Sequence, residues 1–164
     1  ARAGSRGKPM SEPKSLHDLP ADFVFDPSKA ARLMTRHGHG GWLGLTYHAH
    51  GTDWVELALP WRDELVGVAE TGVLASGPII SLMDNATSMS VWTLCRRFVP
   101  HATLDLRVDY MRAAVPGRTV IGHGECYKLT RTISFIRGIA HDGDPDDPIA
   151  HVTGTFMATH GTYL

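Results

Sequence analysis

The sequence contains only two cysteines, Cys95 and Cys126, and it lacks the C-x-x-C spacing of zinc and redox sites. A disulfide framework is not expected, and both residues are interpreted as core thiols. No uninterrupted apolar run reaches the roughly 18 residues of a membrane span, and the N-terminus lacks the apolar region of a secretory signal. These absences predict a soluble, cytoplasmic protein without a membrane partner.

The sequence also has no large excess of positive or negative charge, since its formal net charge is −1. Without a basic surface, nucleic acid is not expected as a partner. No Gly-x-Gly-x-x-Gly or Walker spacing follows a strand and opens a helix, so nucleotide hydrolysis is not indicated. His48 and His50 fall on one predicted strand, but two imidazoles without a third ligand make a weak site, and no metal is predicted.

The chain has 164 residues, of which 43% are hydrophobic. That is enough for one core and too short for two ordinary domains. Residues 1–20 are rich in Gly, Ser, Pro, Lys and Arg and include an internal methionine, Met10, so we expect this segment to be disordered or peripheral. Residues 21–164 are predicted to form a single domain.

Two helices are predicted. Asp26 caps a short helix that starts at Pro27, runs to Met34 and stops at the glycines that follow. The long apolar segment from Gly77 or Pro78 to about Cys95 predicts the second helix, with Ser76 or Gly77 as its cap. Its apolar residues cover most of the circumference, which indicates burial on nearly every side.

Six segments have the alternation or composition of strands. A hairpin is predicted over 43–49 and 54–59, and after Pro100 come the strands 103–110, 120–129, 133–141 and 149–158. Within 103–110, the residues expected to face the core are Leu104, Leu106, Val108 and Tyr110. The connections are too short for parallel crossovers. The pattern predicts one α+β domain, an antiparallel sheet of about five or six strands packed on one long helix.

Between Glu70 and Arg96 the sequence carries a single formal charge, Asp84, within the apolar run 79–86. Burying an unpaired carboxylate costs several kcal/mol, so such a residue persists mainly where it is paired or takes part in chemistry. Asp84 is therefore the candidate catalytic residue. The alternative is a structural carboxylate that hydrogen-bonds a neighbouring loop.

The order of elements resembles the hotdog fold, in which an antiparallel sheet wraps around a central helix. The local sequence is similar to acyl-CoA thioesterases of the phenylacetate-degradation type, whose helix opens with His-Gly-Gly and carries Leu seven and Asp or Glu nine residues after that His. Here residues 75–77 read Ala-Ser-Gly, and Leu82 and Asp84 occupy the seventh and ninth positions. Residues 103–112 resemble the family strand that ends in Tyr-Leu-Arg-Pro, and 150–156 resemble its closing strand with Gly-Thr-Phe.

The resemblance implies an enzyme, a thioester hydrolase that acts on a medium-chain or aromatic acyl-CoA. Asp84 would be the general base or nucleophile, and the backbone N–H groups of Ser76 and Gly77 would bind the oxyanion. The implied substrate contacts are a water-positioning hydroxyl and three cations near the coenzyme A phosphates, namely Ser88, Arg112, Lys128 and Arg131. Solvated surface charges are the alternative for these cations.

The resemblance also implies a homodimer whose subunits share the active site, often doubled to a homotetramer. No cofactor is implied, since coenzyme A is part of the substrate.

Ala75 stands where the family has a histidine, so this position offers no imidazole. The candidate substitutes are Glu70 or a histidine from elsewhere in the fold. The departure motivates an alternative function, a non-catalytic hotdog protein that binds acyl-CoA or another acyl ligand. A His-Gly-Gly does occur at 39–41, but a strand pattern follows it, and nine positions after His39 the residue is His48 instead of a carboxylate. It is not interpreted as the motif.

Overall fold

The structure is a computed structural model that describes residues 25–164. The predicted peripheral segment 1–20 lies outside the described residues. The helices are α1 (Pro27–Met34), α2 (Gly38–Leu43) and α3 (Ser76–Cys95), with a 3-10 turn at Asp63–Leu65. The strands are β1 (Thr46–His50), β2 (Trp54–Leu59), β3 (Val66–Val68), β4 (Val73–Leu74), β5 (His101–Tyr110), β6 (Val120–Leu129), β7 (Ile133–His141) and β8 (Ala150–Ala158).

Six of these strands form one antiparallel sheet in the order β1-β2-β6-β7-β8-β5. The predicted hairpin is its β1–β2 pair. The sheet wraps around α3, so the predicted hotdog architecture is confirmed. Both β1 and β5 are edge strands, and β5 comes directly after α3 in the chain. No helix within residues 25–164 is long and apolar enough to cross a membrane.

Helix α3 lies very close to the sheet because glycines face it. A Cβ built on Gly124 of β6 would lie 2.5 Å from the backbone nitrogen of Thr87, and one on Gly122 would lie 2.7 Å from Leu82. The backbone of the helix thus rests on the strand itself. Several apolar side chains of α3, among them Leu82, Met83 and Met89, are fully buried around this contact.

The start of α3 differs from the prediction. The helix begins at Ser76, and Ala75 occupies the cap position without a side-chain hydrogen bond, so the predicted cap at Ser76 or Gly77 is wrong. Burial is also less complete than expected, because Ile80 is 39% exposed and the neighbouring Asp84 is half-buried. One side of α3 therefore remains accessible.

The segment between the first helix and the first strand also differs. Asp26 caps α1 and the helix ends at Met34, both as predicted, but the glycines that follow belong to a second helix, α2, which the sequence does not predict. The predicted strand from Leu43 begins only at Thr46. Gly38 has a φ of +64°, and a Cβ on Gly41 would lie 2.8 Å from the carbonyl oxygen of Thr35. The glycines allow the chain to fold back on itself here, which a helix-propensity argument does not anticipate.

Strand β5 departs from the clean alternation that its sequence predicts. Its pairing with β8 shifts between Thr103 and Asp105, so Leu104 is an extra residue in a β-bulge. Leu104 is 54% exposed instead of buried, while Leu106 and Val108 pack against the core as expected. The bulge turns Thr103 toward α3, onto the same side as Leu106.

Between β2 and α3 the chain forms a small second sheet, β3 with β4, which is not among the six predicted strands. The backbone N–H of Ala75 donates to the carbonyl oxygen of Leu65, and the indole N–H of Trp61 donates to the carbonyl oxygen of Gly72. These bonds fix the polypeptide that enters α3.

Candidate active site

Four small or polar residues form a stripe along one side of α3: Gly77, Ser81 and Asp84, which are at least partly accessible, and Ser88, which is buried. Their spacings of four, three and four residues match the helical repeat, so they share one face. The structure therefore places three of the predicted site residues, Gly77, Asp84 and Ser88, in one line. Ser76 precedes this stripe as the first residue of the helix.

The N-terminus of α3 offers free backbone donors. Ser76 and Gly77 occupy the first two helical positions, where an N–H group has no partner within the helix, and the helix dipole favours negative charge there. A Cβ on Gly77 would meet nothing within 4 Å, so this end of the helix opens to space that a ligand can occupy. The hydroxyl of Tyr110 donates to the carbonyl oxygen of Ser76 at 3.1 Å and ties the end of β5 to this turn.

Within residues 25–164, the side chain of Asp84 hydrogen-bonds to the side chain of Thr103. The Thr103 hydroxyl donates to Oδ1 of Asp84 at 2.9 Å, and the carboxylate is half-buried between α3 and β5. The bulge in β5 makes this contact, because it points Thr103 toward the helix. A hydroxyl donor orients the carboxylate without neutralising it, which suits either a base or a nucleophile.

Ser88 is paired with a histidine that the sequence analysis did not single out. Its Oγ lies 2.7 Å from Nε2 of His101, whose ring stacks on Trp92 at 4.7 Å between centroids. Burial lowers the pKa of His101 to about 4, so the ring is neutral at pH 7. No regular spacing links residues 88 and 101, and only the turn after α3 brings them together.

A pocket of about 300 Å³ lies against the N-terminus of α3. It is lined by helix α2, by the 3-10 turn and by the first turns of α3, with the residues His39, Trp42, Leu43, Glu64, Leu65, Val66, Ala75, Gly77, Pro78 and Ser81. The predicted oxyanion donor Gly77 and the motif position Ala75 thus face the same cavity. His39, the first residue of the His-Gly-Gly at 39–41, lines it too.

The three predicted cations do not line this pocket. Arg112, just after β5, donates to both carboxylate oxygens of Asp142 at 3.0 and 2.8 Å. Lys128 and Arg131 are exposed at the β6–β7 turn. The roles of all three cations in substrate binding stay predictions. Arg112 already has a partner within the protein, the Asp142 carboxylate. The suggested substitute Glu70 is exposed in the turn between β3 and β4 and lies outside the pocket lining.

Comparison with known proteins supports the class that the fold and site define. The thioesterase superfamily profile matches residues 71–149, which span α3 and most of the strands that follow. A crystal structure of a Pseudomonas aeruginosa protein is 38% identical, covering 82% of this chain and 100% of its own, with a TM-score of 0.73. A search of curated protein sequences finds no significant match.

More distant structures share the fold. A thioesterase family protein from Silicibacter pomeroyi is 23% identical, with a TM-score of 0.70 over 83% of this chain and 100% of that one. The E. coli PaaI protein from the phenylacetic acid degradation operon is 12% identical, with a TM-score of 0.70 over 83% of this chain and 95% of that one.

The chain is thus a hotdog-fold protein, and it belongs to the thioesterase superfamily. Membership indicates a thioester hydrolase in general. The narrower resemblance to the phenylacetate-degradation type stays a prediction, because the PaaI likeness at 12% identity concerns the fold alone.

Proposed function

We propose that this protein is an acyl-CoA thioesterase that hydrolyses a medium-chain or aromatic acyl-CoA to the free acid and coenzyme A. Asp84 acts as general base or nucleophile, and the N–H groups of Ser76 and Gly77 bind the oxyanion. The observation that carries the proposal is the stripe on α3, which aligns free donors at the helix start with a carboxylate on the accessible side of an otherwise buried helix.

In the general-base form, the thioester carbonyl oxygen binds at the N-terminus of α3. Asp84 takes a proton from water as the water oxygen attacks the carbonyl carbon, and the negative charge that develops on oxygen is stabilised by the amides and the helix dipole. The C–S bond then breaks and coenzyme A leaves as the thiol with the proton returned. In the nucleophile form, the Asp84 carboxylate attacks the carbonyl carbon, the C–S bond breaks and coenzyme A leaves as the thiolate. Water then hydrolyses the mixed anhydride, which releases the acid, regenerates the Asp84 carboxylate and provides the proton for the thiolate.

The geometry of α3 argues for a site shared between two subunits. Gly77 and Asp84 are separated by two turns, and a rise of about 1.5 Å per residue puts their backbones roughly 10 Å apart. A carboxylate must come within about 3.5 Å of the reacting atoms. Asp84 of one protomer therefore serves the helix start of its partner in the proposed arrangement.

Strand β5 offers the surface for such a dimer. It is an edge strand with an unpaired side, and its exposed apolar residues include Leu104, at 54%, followed by Met111 at 64%. An edge strand with exposed apolar residues can pair with a strand of another chain. We propose a homodimer joined along β5, with a homotetramer as its doubled form, and coenzyme A phosphates bound by Lys128 and Arg131 with Arg112 as a third candidate.

The test is hydrolysis of short, medium, long and aromatic acyl-CoAs, followed by thiol release, for the wild type and Asp84→Asn. General-base catalysis contributes about a hundredfold to ten-thousandfold, so the variant is expected to lose at least a hundredfold in kcat/KM with its fold intact. Asp146→Asn, which removes an exposed carboxylate from the β7–β8 turn, is the matched control.

Unchanged turnover in Asp84→Asn contradicts the assignment of Asp84. Saturable acyl-CoA binding without turnover in the wild type selects the alternative, a non-catalytic acyl-ligand-binding protein. That alternative is motivated by Ala75, which provides no imidazole.

A further inference from the structure

Helix α2 brings an imidazole to the pocket where the family motif lacks one. His39 lines the cavity together with Ala75 and Gly77, although it is 36 positions before Ala75 in the chain. Its ring stacks on Trp42 with 6.0 Å between centroids and 16° between planes. A guanidinium N–H of Arg62 donates to the carbonyl oxygen of Trp42. The helix is thus attached to the loop that leads into α3.

The polar partner of His39 is Ser81 on α3. The Nε2 atom of His39 lies 3.1 Å from the Ser81 hydroxyl oxygen, a contact between residues 42 positions apart. Three other hydroxyls of the same helix donate to helix carbonyls instead, those of Thr87, Ser90 and Thr93. The Ser81 hydroxyl is directed at the pocket and not at its own backbone.

The position of Ser81 on α3 relates this pair to the proposed oxyanion site. Ser81 is four residues after Gly77, so it sits one turn further along the same face. Side chains of a helix tilt toward its N-terminus, which carries the Ser81 hydroxyl toward the Gly77 end. A carbonyl oxygen bound at the Gly77 N–H therefore has a hydroxyl beside it within the pocket.

We propose that Ser81 is a further catalytic residue and His39 its positioning residue, on the basis of the thioesterase function proposed above. With the proton on Nε2, His39 donates to the Ser81 oxygen, and the Ser81 O–H is left to donate to the thioester oxygen next to the Gly77 N–H. Neither residue forms a covalent bond or gives up a proton. Together, His39 from α2 and Ser81 from α3 provide a side-chain hydrogen-bond donor in the pocket, which the methyl group of Ala75 cannot provide.

The test measures kcat and KM for Ser81→Ala, His39→Ala, His39→Gln and the double alanine variant, on an acyl-CoA that the wild type hydrolyses. Loss of one oxyanion donor costs about a hundredfold in kcat, which is expected for Ser81→Ala with KM little changed. His39→Ala is expected to lose at least tenfold in kcat. The double variant is expected to match Ser81→Ala, because residues that act as a unit are not additive.

Two further variants separate positioning from folding. A glutamine amide can donate as Nε2–H does, so His39→Gln is expected to recover most of the kcat that His39→Ala loses. His37→Ala is the matched control, since His37 is an exposed histidine at the start of α2 without a side-chain cap bond, and it is expected to behave as wild type.

Wild-type kcat in both Ser81→Ala and His39→Ala, while Asp84→Asn is inactive, overturns the His39–Ser81 assignment and leaves the thioesterase intact. A lower melting temperature in His39→Ala that His39→Gln does not restore also overturns it, because His39 is then structural. A wild type without turnover on any acyl-CoA overturns both proposals.

Discussion

Replacing Asp142 by asparagine removes a charge that the fold almost completely encloses. The Asp142 side chain is 3% exposed, and the Arg112 guanidinium binds both of its oxygens. The backbone N–H of Val115 also donates to Oδ2 at 2.7 Å. These hydrogen bonds, that of Arg112 foremost, lower the pKa of Asp142 from 3.8 to about 2.

The size of the effect follows from this pKa difference. A pKa that falls from 3.8 in the unfolded chain to about 2 in the folded one corresponds to about 2 to 3 kcal/mol of folding stability, at about 1.4 kcal/mol for each pKa unit. Because the folded pKa is the lower one, the contribution is fully present above pH 3.8 and is lost as the pH falls through about 2. At pH 3 about half of it remains.

The assay is urea unfolding of the wild type and Asp142→Asn at one fixed protomer concentration, because assembly changes apparent stability. We expect the free energy of unfolding to differ by about 2.5 kcal/mol at pH 7 and by about half of that at pH 3. Asp146→Asn, in the same turn but exposed, is the control and should change little. A difference that is equal at the two pH values, or below about 0.5 kcal/mol at pH 7, refutes the reasoning.

Two further substitutions test the contacts that position the site. Thr103→Val keeps the shape of the side chain but removes the donor to Asp84, so kcat should fall about tenfold at an unchanged melting temperature, and Thr103→Ser should restore it. Wild-type kcat in Thr103→Val would count against an orienting role. Gly124→Ala forces a methyl group against the Thr87 backbone, and urea unfolding should show a loss of about 1 to 3 kcal/mol. An unchanged urea midpoint would mean that α3 can move away from β6 at no cost.

Regular strands were the most predictable part of the fold. The bounds of β2, β6 and β7 agree with the sequence prediction, because short turns bound all three and because buried and less buried residues alternate along most of β6 and β7. Helix α2 was missed because three of its six residues are glycine, and its formation depends on close contact with the end of α1. Strands β3 and β4 have only three and two residues, too few for any periodicity.

The candidate site likewise has a part that the sequence predicts and a part that it does not. The alignment of Gly77, Asp84 and Ser88 follows from helical spacing alone and could be read from the sequence. Their partners could not, since each comes from a distant segment: Thr103 and His101 from β5, and His39 from α2. Comparison with the family motif shows that Ala75 replaces a histidine, but only the tertiary structure shows that the imidazole of His39 lines the same pocket.

The bulge at Leu104 determines which side of the sheet the first residues of β5 face. Thr103 and Leu106 are three positions apart, an odd number, so in a regular strand they would face opposite sides of the sheet. Because the bulge absorbs this extra residue, the apolar half of β5 that packs on the core and the polar half that contacts Asp84 share one face. Without Leu104, Thr103 would stand two positions before Leu106, so a regular strand would already place both on the α3 side and no bulge would be needed. The contact with Asp84 thus depends on how β5 accommodates one extra residue, although the strand carries none of the proposed catalytic groups.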